Sequence, residues 1–96
     1  MKIYKTDAFA KWLHKLKDNR AKAIIHIHIE RMESGNTGKI ESVGDGVYEK
    51  KINYGPGYRL YMCMQGNDWI ILLHGGDKSS QQEDINHAIR LRKELR

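Results

Sequence analysis

Ninety-six residues, 40% of them hydrophobic and with a mean hydropathy of −0.70, suit one soluble domain over residues 1–96 and exclude large multi-domain enzymes and solenoids. No apolar run, Trp69–Leu73 included, exceeds five residues, far short of the ~18 of a membrane span, and Met1–Lys5 lacks a secretory leader's apolar stretch, so the cytoplasm is expected and no membrane partner. Lys and Arg outnumber Asp and Glu 17 to 12, with the excess at residues 1–22 and 87–96, which favours a polyanionic partner such as nucleic acid or ribosome over a small acidic substrate.

Residues 2–5 read as a short strand. Thr6-Asp7 can cap a helix over 8–17, with Phe9, Trp12, Leu13 and Leu16 on one face. Asp18-Asn19 stops that helix and caps a second, from Arg20 to about Glu33, closed by Gly35. Inside it, Ile25-His26-Ile27-His28-Ile29 alternates as a strand does. The longer window (Ala21, Ile24, Ile25, His28, Met32) and the helix-forming flanks favour helix.

Residues 35–46 are glycine-rich and loop-like, with a short extended piece near 40–43. Two strands follow, 47–54 and 58–64, joined by Gly55-Pro56-Gly57. After a turn at 65–68, Trp69–His74 is continuously apolar, as a central strand would be. Ser80-Gln81-Gln82-Glu83 reads as a capping box opening a last helix to about Leu95, with Ile85, Ala88, Ile89, Leu91 and Leu95 inward. The order β-α-α-β-β-β-α makes the fold α+β: a small antiparallel sheet with two N-terminal helices and one C-terminal helix.

Candidate chemistry is sparse. Cys63 is the single cysteine, so neither an internal disulfide nor a cysteine-rich zinc site is available. His26 and His28 could share a metal on a strand, but on a helix they lie about 200° apart, and no metal is expected. Gly44-Asp45-Gly46 and Gly75-Gly76 lack the spacing of a phosphate-loop fingerprint and read as turns. The hairpin is more specific. A three-residue loop would set Asn53 opposite Arg59, Lys51 opposite Tyr61 and Glu49 opposite Cys63 on one face. Tyr54/Tyr58, Ile52/Leu60 and Lys50/Met62 would share the other. Arg59, Lys51 and Tyr61 on one sheet face suit a phosphodiester; the alternative is a solvated face with a Lys51–Glu49 contact. Lys78 stands before a helix N-terminus, where backbone N–H groups favour an anion.

Several segments together resemble the RelE/ParE toxin superfamily, in its HigB-like branch of phage-derived addiction module killer proteins. They are Phe9-Ala10-Lys11-Trp12-Leu13, Arg20-Ala21-Lys22-Ala23-Ile24, Val43-Gly44-Asp45-Gly46-Val47-Tyr48-Glu49, Tyr54-Gly55-Pro56-Gly57-Tyr58-Arg59 and Gly75-Gly76-Asp77-Lys78-Ser79-Ser80-Gln81, and they run through most of the chain. The resemblance implies the toxin of a type II toxin–antitoxin system: a ribosome-dependent mRNA endoribonuclease that uses the RNA 2′-hydroxyl and needs no cofactor. Its implied partners are a cognate antitoxin, of helix-turn-helix DNA-binding type, and the 70S ribosome with its mRNA.

By position, the resemblance assigns Arg59, Lys51 and Lys78 to catalysis. From the predicted hairpin face Asn53 and Tyr61 are expected to bind RNA, with Lys50 a weaker candidate for the role of Lys51, and Lys11 and Lys15 of the basic first helix are expected to contact ribosomal RNA. Some relatives carry a C-terminal tyrosine or histidine as general acid, whereas this chain ends Arg90-Leu91-Arg92-Lys93-Glu94-Leu95-Arg96. His74 and His87 are its late imidazoles. The alternatives within the superfamily are a gyrase-inhibiting, ParE-like toxin without nuclease activity and a degenerate toxin that only binds its antitoxin.

Overall fold

A computed structural model describes residues 1–95. Its elements are β1 (Lys2–Lys5), α1 (Asp7–Lys15), α2 (Asn19–Glu33), β2 (Glu41–Gly44), β3 (Val47–Ile52), β4 (Tyr58–Gln65), β5 (Trp69–Asp77), a 3-10 turn (Lys78–Ser80) and α3 (Gln81–Glu94). The five strands form one sheet in the order β1-β5-β4-β3-β2, antiparallel throughout except that β1 runs parallel to β5. The extended piece expected near residues 40–43 joins this sheet as the edge strand β2. No helix among the described residues is long and apolar enough to cross a membrane.

Local chemistry sets the helix ends. Thr6 Oγ1 accepts from Phe9 N at 3.1 Å, and Asp18 Oδ1 accepts from Arg20 N and Ala21 N. At the far end of α2, Gly35 adopts φ 89° while its N–H bonds Met32 O and the Asn36 N–H bonds Arg31 O, a Schellman motif. The alternating His26–Ile29 segment is helical, with Ala21, Ile25, Ile29 and Met32 buried along one stripe. One helix start differs from expectation. Ser80 makes no cap hydrogen bond; instead Asp77 accepts from Ser79 N and caps the 3-10 turn.

The sheet separates two apolar layers. On one side Phe9, Leu13, Ile25 and Met32 of α1 and α2 pack on Ile52, Leu60, Met62, Ile70 and Leu72. On the other, Ala88 of α3 packs with Val47, Tyr61, Cys63, Ile71 and Leu73. A fully buried side chain of this kind contributes roughly 1.5–3 kcal/mol.

Two features of the sheet correct the sequence reading. In the hairpin, Lys51 pairs with Arg59, Glu49 with Tyr61 and Lys50 with Leu60, a two-residue shift from the expected register. The loop spans residues 53–57, closed by hydrogen bonds from Tyr54 N to Ile52 O and from Gly57 N to Tyr54 O. A shift of two leaves every side chain on its expected face but changes every partner. Strand β5 also continues through Gly75-Gly76, so those glycines are strand residues and not a turn. Gly44-Asp45-Gly46 is a turn as expected: Asp45 and Gly46 have φ of 52° and 78°, the positive pair that a tight two-residue hairpin turn requires.

Strand β5 carries a bulge. Its register against β4 changes between Tyr61↔His74 and Met62↔Leu72, leaving Leu73 unpaired. Consecutive residues Leu73 and His74 consequently both face α3, Leu73 within the apolar layer and His74 against Asp84. Beyond the bulge the glycines are confined from opposite sides. A Cβ on Gly75 would overlap the Trp12 indole of α1, and one on Gly76 would overlap the Asp84 carboxylate of α3.

Candidate functional site

Where α3 begins, the face of β3 and β4 that it covers elsewhere becomes open. The result is a cleft of about 590 Å³ lined by Lys51, Asn53, Arg59, Lys78 and the hairpin loop 54–57. A second hollow of about 270 Å³ shares Lys51 and Asn53 and continues to Lys39, Glu41 and Glu49. Strand alternation puts Glu49 and Lys51 of β3 and Arg59 of β4 on this face, and the turn after β5 adds Lys78.

The register brings two cations directly opposite each other, Lys51 and Arg59. Like charges at facing positions oppose strand pairing, so the arrangement costs stability unless an anion lies between them. Lys78 approaches from the other side: a Cβ on Gly57 would stand 3.9 Å from both Arg59 Nη1 and Lys78 Cβ. Lys51, Asn53 and Lys78 are exposed, whereas Arg59 is only 8% exposed.

Arg59 is held by protein on two of its nitrogens. Its Nη1 donates to Gly57 O at 3.3 Å, and its Nε lies 3.5 Å from Glu49 Oε2, an ion pair without hydrogen-bond geometry. The same Glu49 oxygen accepts from Gln81 Nε2 of α3 at 2.8 Å. Glu49 and Gln81 were not singled out as site residues by sequence reasoning. The available signal was that Glu49 lies two residues from Lys51 and therefore on the same face, while Gln81 stood only as the end of the Gly75–Gln81 segment, with no role attached to its side chain.

Behind Arg59 the polar layer continues under α3. His74 Nε2 meets Asp84 Oδ1 at 3.1 Å, Ser80 Oγ donates to Asp84 Oδ2, and the His74 and His87 rings lie 4.4 Å apart between centroids with their planes tilted by 56°. Burial lowers the His74 pKa; the Asp84 hydrogen bond opposes that, and His87 adds to the lowering. His74 Nδ1 is buried without a partner, and neither imidazole lines the cleft.

Four residues expected to contact RNA lie outside the cleft. Tyr61 faces the same side as Arg59, but α3 covers it: its side chain is fully buried, and burial followed by the Glu49 charge pushes the phenol pKa up. Lys50 points to the opposite face, where it is 7% exposed and donates to Thr37 O at 2.7 Å. Burial lowers its pKa, as does neighbouring Arg31. Lys11 and Lys15 are exposed on α1, away from the cleft lining. His26 is exposed and His28 half-buried on α2, and the described residues contain no group of three His, Cys, Asp or Glu side chains placed to hold a metal ion.

Comparison with known proteins agrees with this architecture. A protein of Haemophilus influenzae, described as uncharacterized, is 48% identical over 95 residues, spanning 99% of this chain and 96% of its own. A structure of an E. coli toxin RelE mutant in the free state superposes with a TM-score of 0.68, covering 98% of this chain and 97% of that one at 16% identity. At that identity the likeness is one of fold alone. The family model described as Phage derived protein Gp49-like (DUF891) matches residues 11–93. The chain therefore belongs to the Gp49-like family of phage-derived proteins.

Proposed function

We propose that this protein is the toxin of a type II toxin–antitoxin pair and acts in the cytoplasm as an endoribonuclease on ribosome-held mRNA. The observation that carries this reading is the facing pair Lys51 and Arg59, joined by Lys78, in an open cleft of about 590 Å³. Membership of the Gp49-like family and the RelE-type fold support it. A cognate antitoxin is the partner that such a toxin requires.

In the proposed reaction the 2′-oxygen of one nucleotide attacks its own 3′-phosphorus, and the P–O5′ bond breaks. The products are a 2′,3′-cyclic phosphate and a 5′-hydroxyl end. Charge accumulates on the non-bridging oxygens as the phosphorane forms. Arg59 Nη2, Lys51 Nζ and Lys78 Nζ neutralise it, and Asn53 holds a neighbouring sugar or base edge. With His74 and His87 turned away under α3, the cleft's contribution is electrostatic clamping. Alignment of the 2′-hydroxyl and the net transfer of its proton to the leaving 5′-oxygen fall to the ribosome that holds the message, which is why ribosome dependence belongs to this reading.

The test is primer-extension mapping of cellular mRNA after brief induction of the wild type and of Lys51→Ala, Lys78→Ala and Arg59→Lys. Cuts within translated codons that disappear in the variants support the assignment. Intact mRNA with arrested growth would transfer the reading to a binding toxin of the gyrase-inhibiting kind, and intact mRNA with normal growth to a chain that only binds its antitoxin.

A further inference from the structure

Gln81 is the first residue of α3, and its side chain reaches back onto the sheet. Its Nε2 donates at 2.8 Å to Glu49 Oε2, and that oxygen stands 3.5 Å from Arg59 Nε. A carboxylate beside an arginine ordinarily closes into a bidentate fork, one oxygen on Nε and the other on the adjacent Nη. Here the fork is not formed: Arg59 Nε is buried without a hydrogen bond, and among the described residues Arg59 Nη2 has no partner. Glu49 is 4% exposed, at the edge of the hollow it shares with Lys51, and its hydrogen bond is the one from Gln81.

We propose that Gln81 is a positioning residue for the cleft. By engaging Glu49 Oε2, it stops that carboxylate from rotating into a full fork with Arg59. Glu49 then balances the arginine's charge without occupying Nη2, and Nη2 stays available to a phosphate oxygen. The start of α3 and the cleft are thereby linked through one shared oxygen atom. This inference rests on the reading that the cleft receives an RNA phosphate.

The substitution Gln81→Met keeps the length of the side chain and removes the donor. Gln82→Met is the control, since Gln82 is exposed and bonds Asn86 within α3. Two readouts are taken on the full chain. The first is the Arg59 side-chain Nε–H resonance, which should move downfield in Gln81→Met as Glu49 closes on it, and stay in place in Gln82→Met. The second is the single-turnover cleavage rate on ribosome-bound mRNA. It should fall about tenfold in Gln81→Met with the melting temperature unchanged, and should not fall further when Gln81→Met is added to Arg59→Lys, because lysine has no fork to capture.

An unmoved Nε–H signal overturns the proposal. So does a wild-type cleavage rate in Gln81→Met, or an equal loss in the Arg59→Lys background. If the wild-type protein leaves mRNA uncut, the nuclease reading fails, and the Nε–H signal alone then decides the role of Gln81.

Discussion

Arg59 Nε lies 3.5 Å from Glu49 Oε2, in a pair whose side chains are only 10% and 3% exposed. Removing one member of such a pair leaves the other charge buried and uncompensated, at a cost of about 3–5 kcal/mol. Glu49→Ala and Arg59→Ala should each destabilise the fold by that order. Replacing both at once, as Glu49→Leu with Arg59→Met, should recover most of the loss. Urea denaturation of the two single variants and the double variant checks this; strictly additive costs would show that the two charges do not compensate each other. For the same reason, loss of toxicity in Arg59→Ala would not separate catalysis from folding, and Arg59→Lys is the better probe.

Lys51 and Lys78 give the cleaner test of chemistry because both are exposed. Each alanine variant should keep its stability within about 0.5 kcal/mol of the parent. Each should slow mRNA cleavage on the order of 10²-fold, the usual effect of removing one preorganised charge from a site that stabilises an oxyanion. Melting temperature and cleavage rate measured on the same preparations check both halves. Full activity in the double variant would remove the lysines from the mechanism.

Gly75 is held to hydrogen by the Trp12 ring, which occupies the space a methyl group would need. Gly75→Ala should cost about 1–3 kcal/mol through overpacking. Adding Trp12→Leu should return part of that loss, so the double variant is expected to be more stable than the sum of the singles predicts. Equilibrium unfolding of all three variants decides it, and simple additivity would mean that the strand rather than the indole dictates glycine here.

His74 gives the fold an acid-sensitive point. Burial lowers its pKa from the ordinary 6.5, opposed by the Asp84 hydrogen bond and reinforced by His87. Between the lowered value and 6.5 the unfolded chain binds more protons than the folded one, so stability rises with pH in that window. Stability should therefore decline as pH drops below about 6.5 and level off once the folded pKa is passed. His28 acts in the same direction, through burial and then the charges of Lys50 and Arg31. Melting curves from pH 7 to pH 5 should fall less steeply for His74→Gln than for the parent. An identical slope would assign the acid sensitivity elsewhere.

Much of this fold is written locally. Thr6, Asp18 and Gly35 announce helix ends because caps and left-handed closures act within four residues, and Asp45-Gly46 announces its turn for the same reason. The hairpin register is not local in that sense. Period-two alternation is unchanged by a two-residue shift, so the faces of Lys51 and Arg59 could be read from the chain while their direct opposition could not. Alternation also says nothing about what lies over a face. Tyr61 and Arg59 share a side, yet α3 buries one completely and stops short of the cleft beside the other. The glycines at 75 and 76 resembled a turn because their reasons, Trp12 and Asp84, are respectively far upstream in sequence and on the next helix.

The unpaired residue in β5 sets which face of the sheet the end of that strand serves. Before it, even-numbered residues such as Ile70 and Leu72 point to the side of α1 and α2; after it, His74 and Gly76 point toward α3. That half-step of phase lets one strand supply the apolar layer and then bring its C-terminal end out on Arg59's side of the sheet. A strand one residue shorter at that point would deliver Lys78 to the opposite face, leaving the same three cations in the chain but no shared cleft.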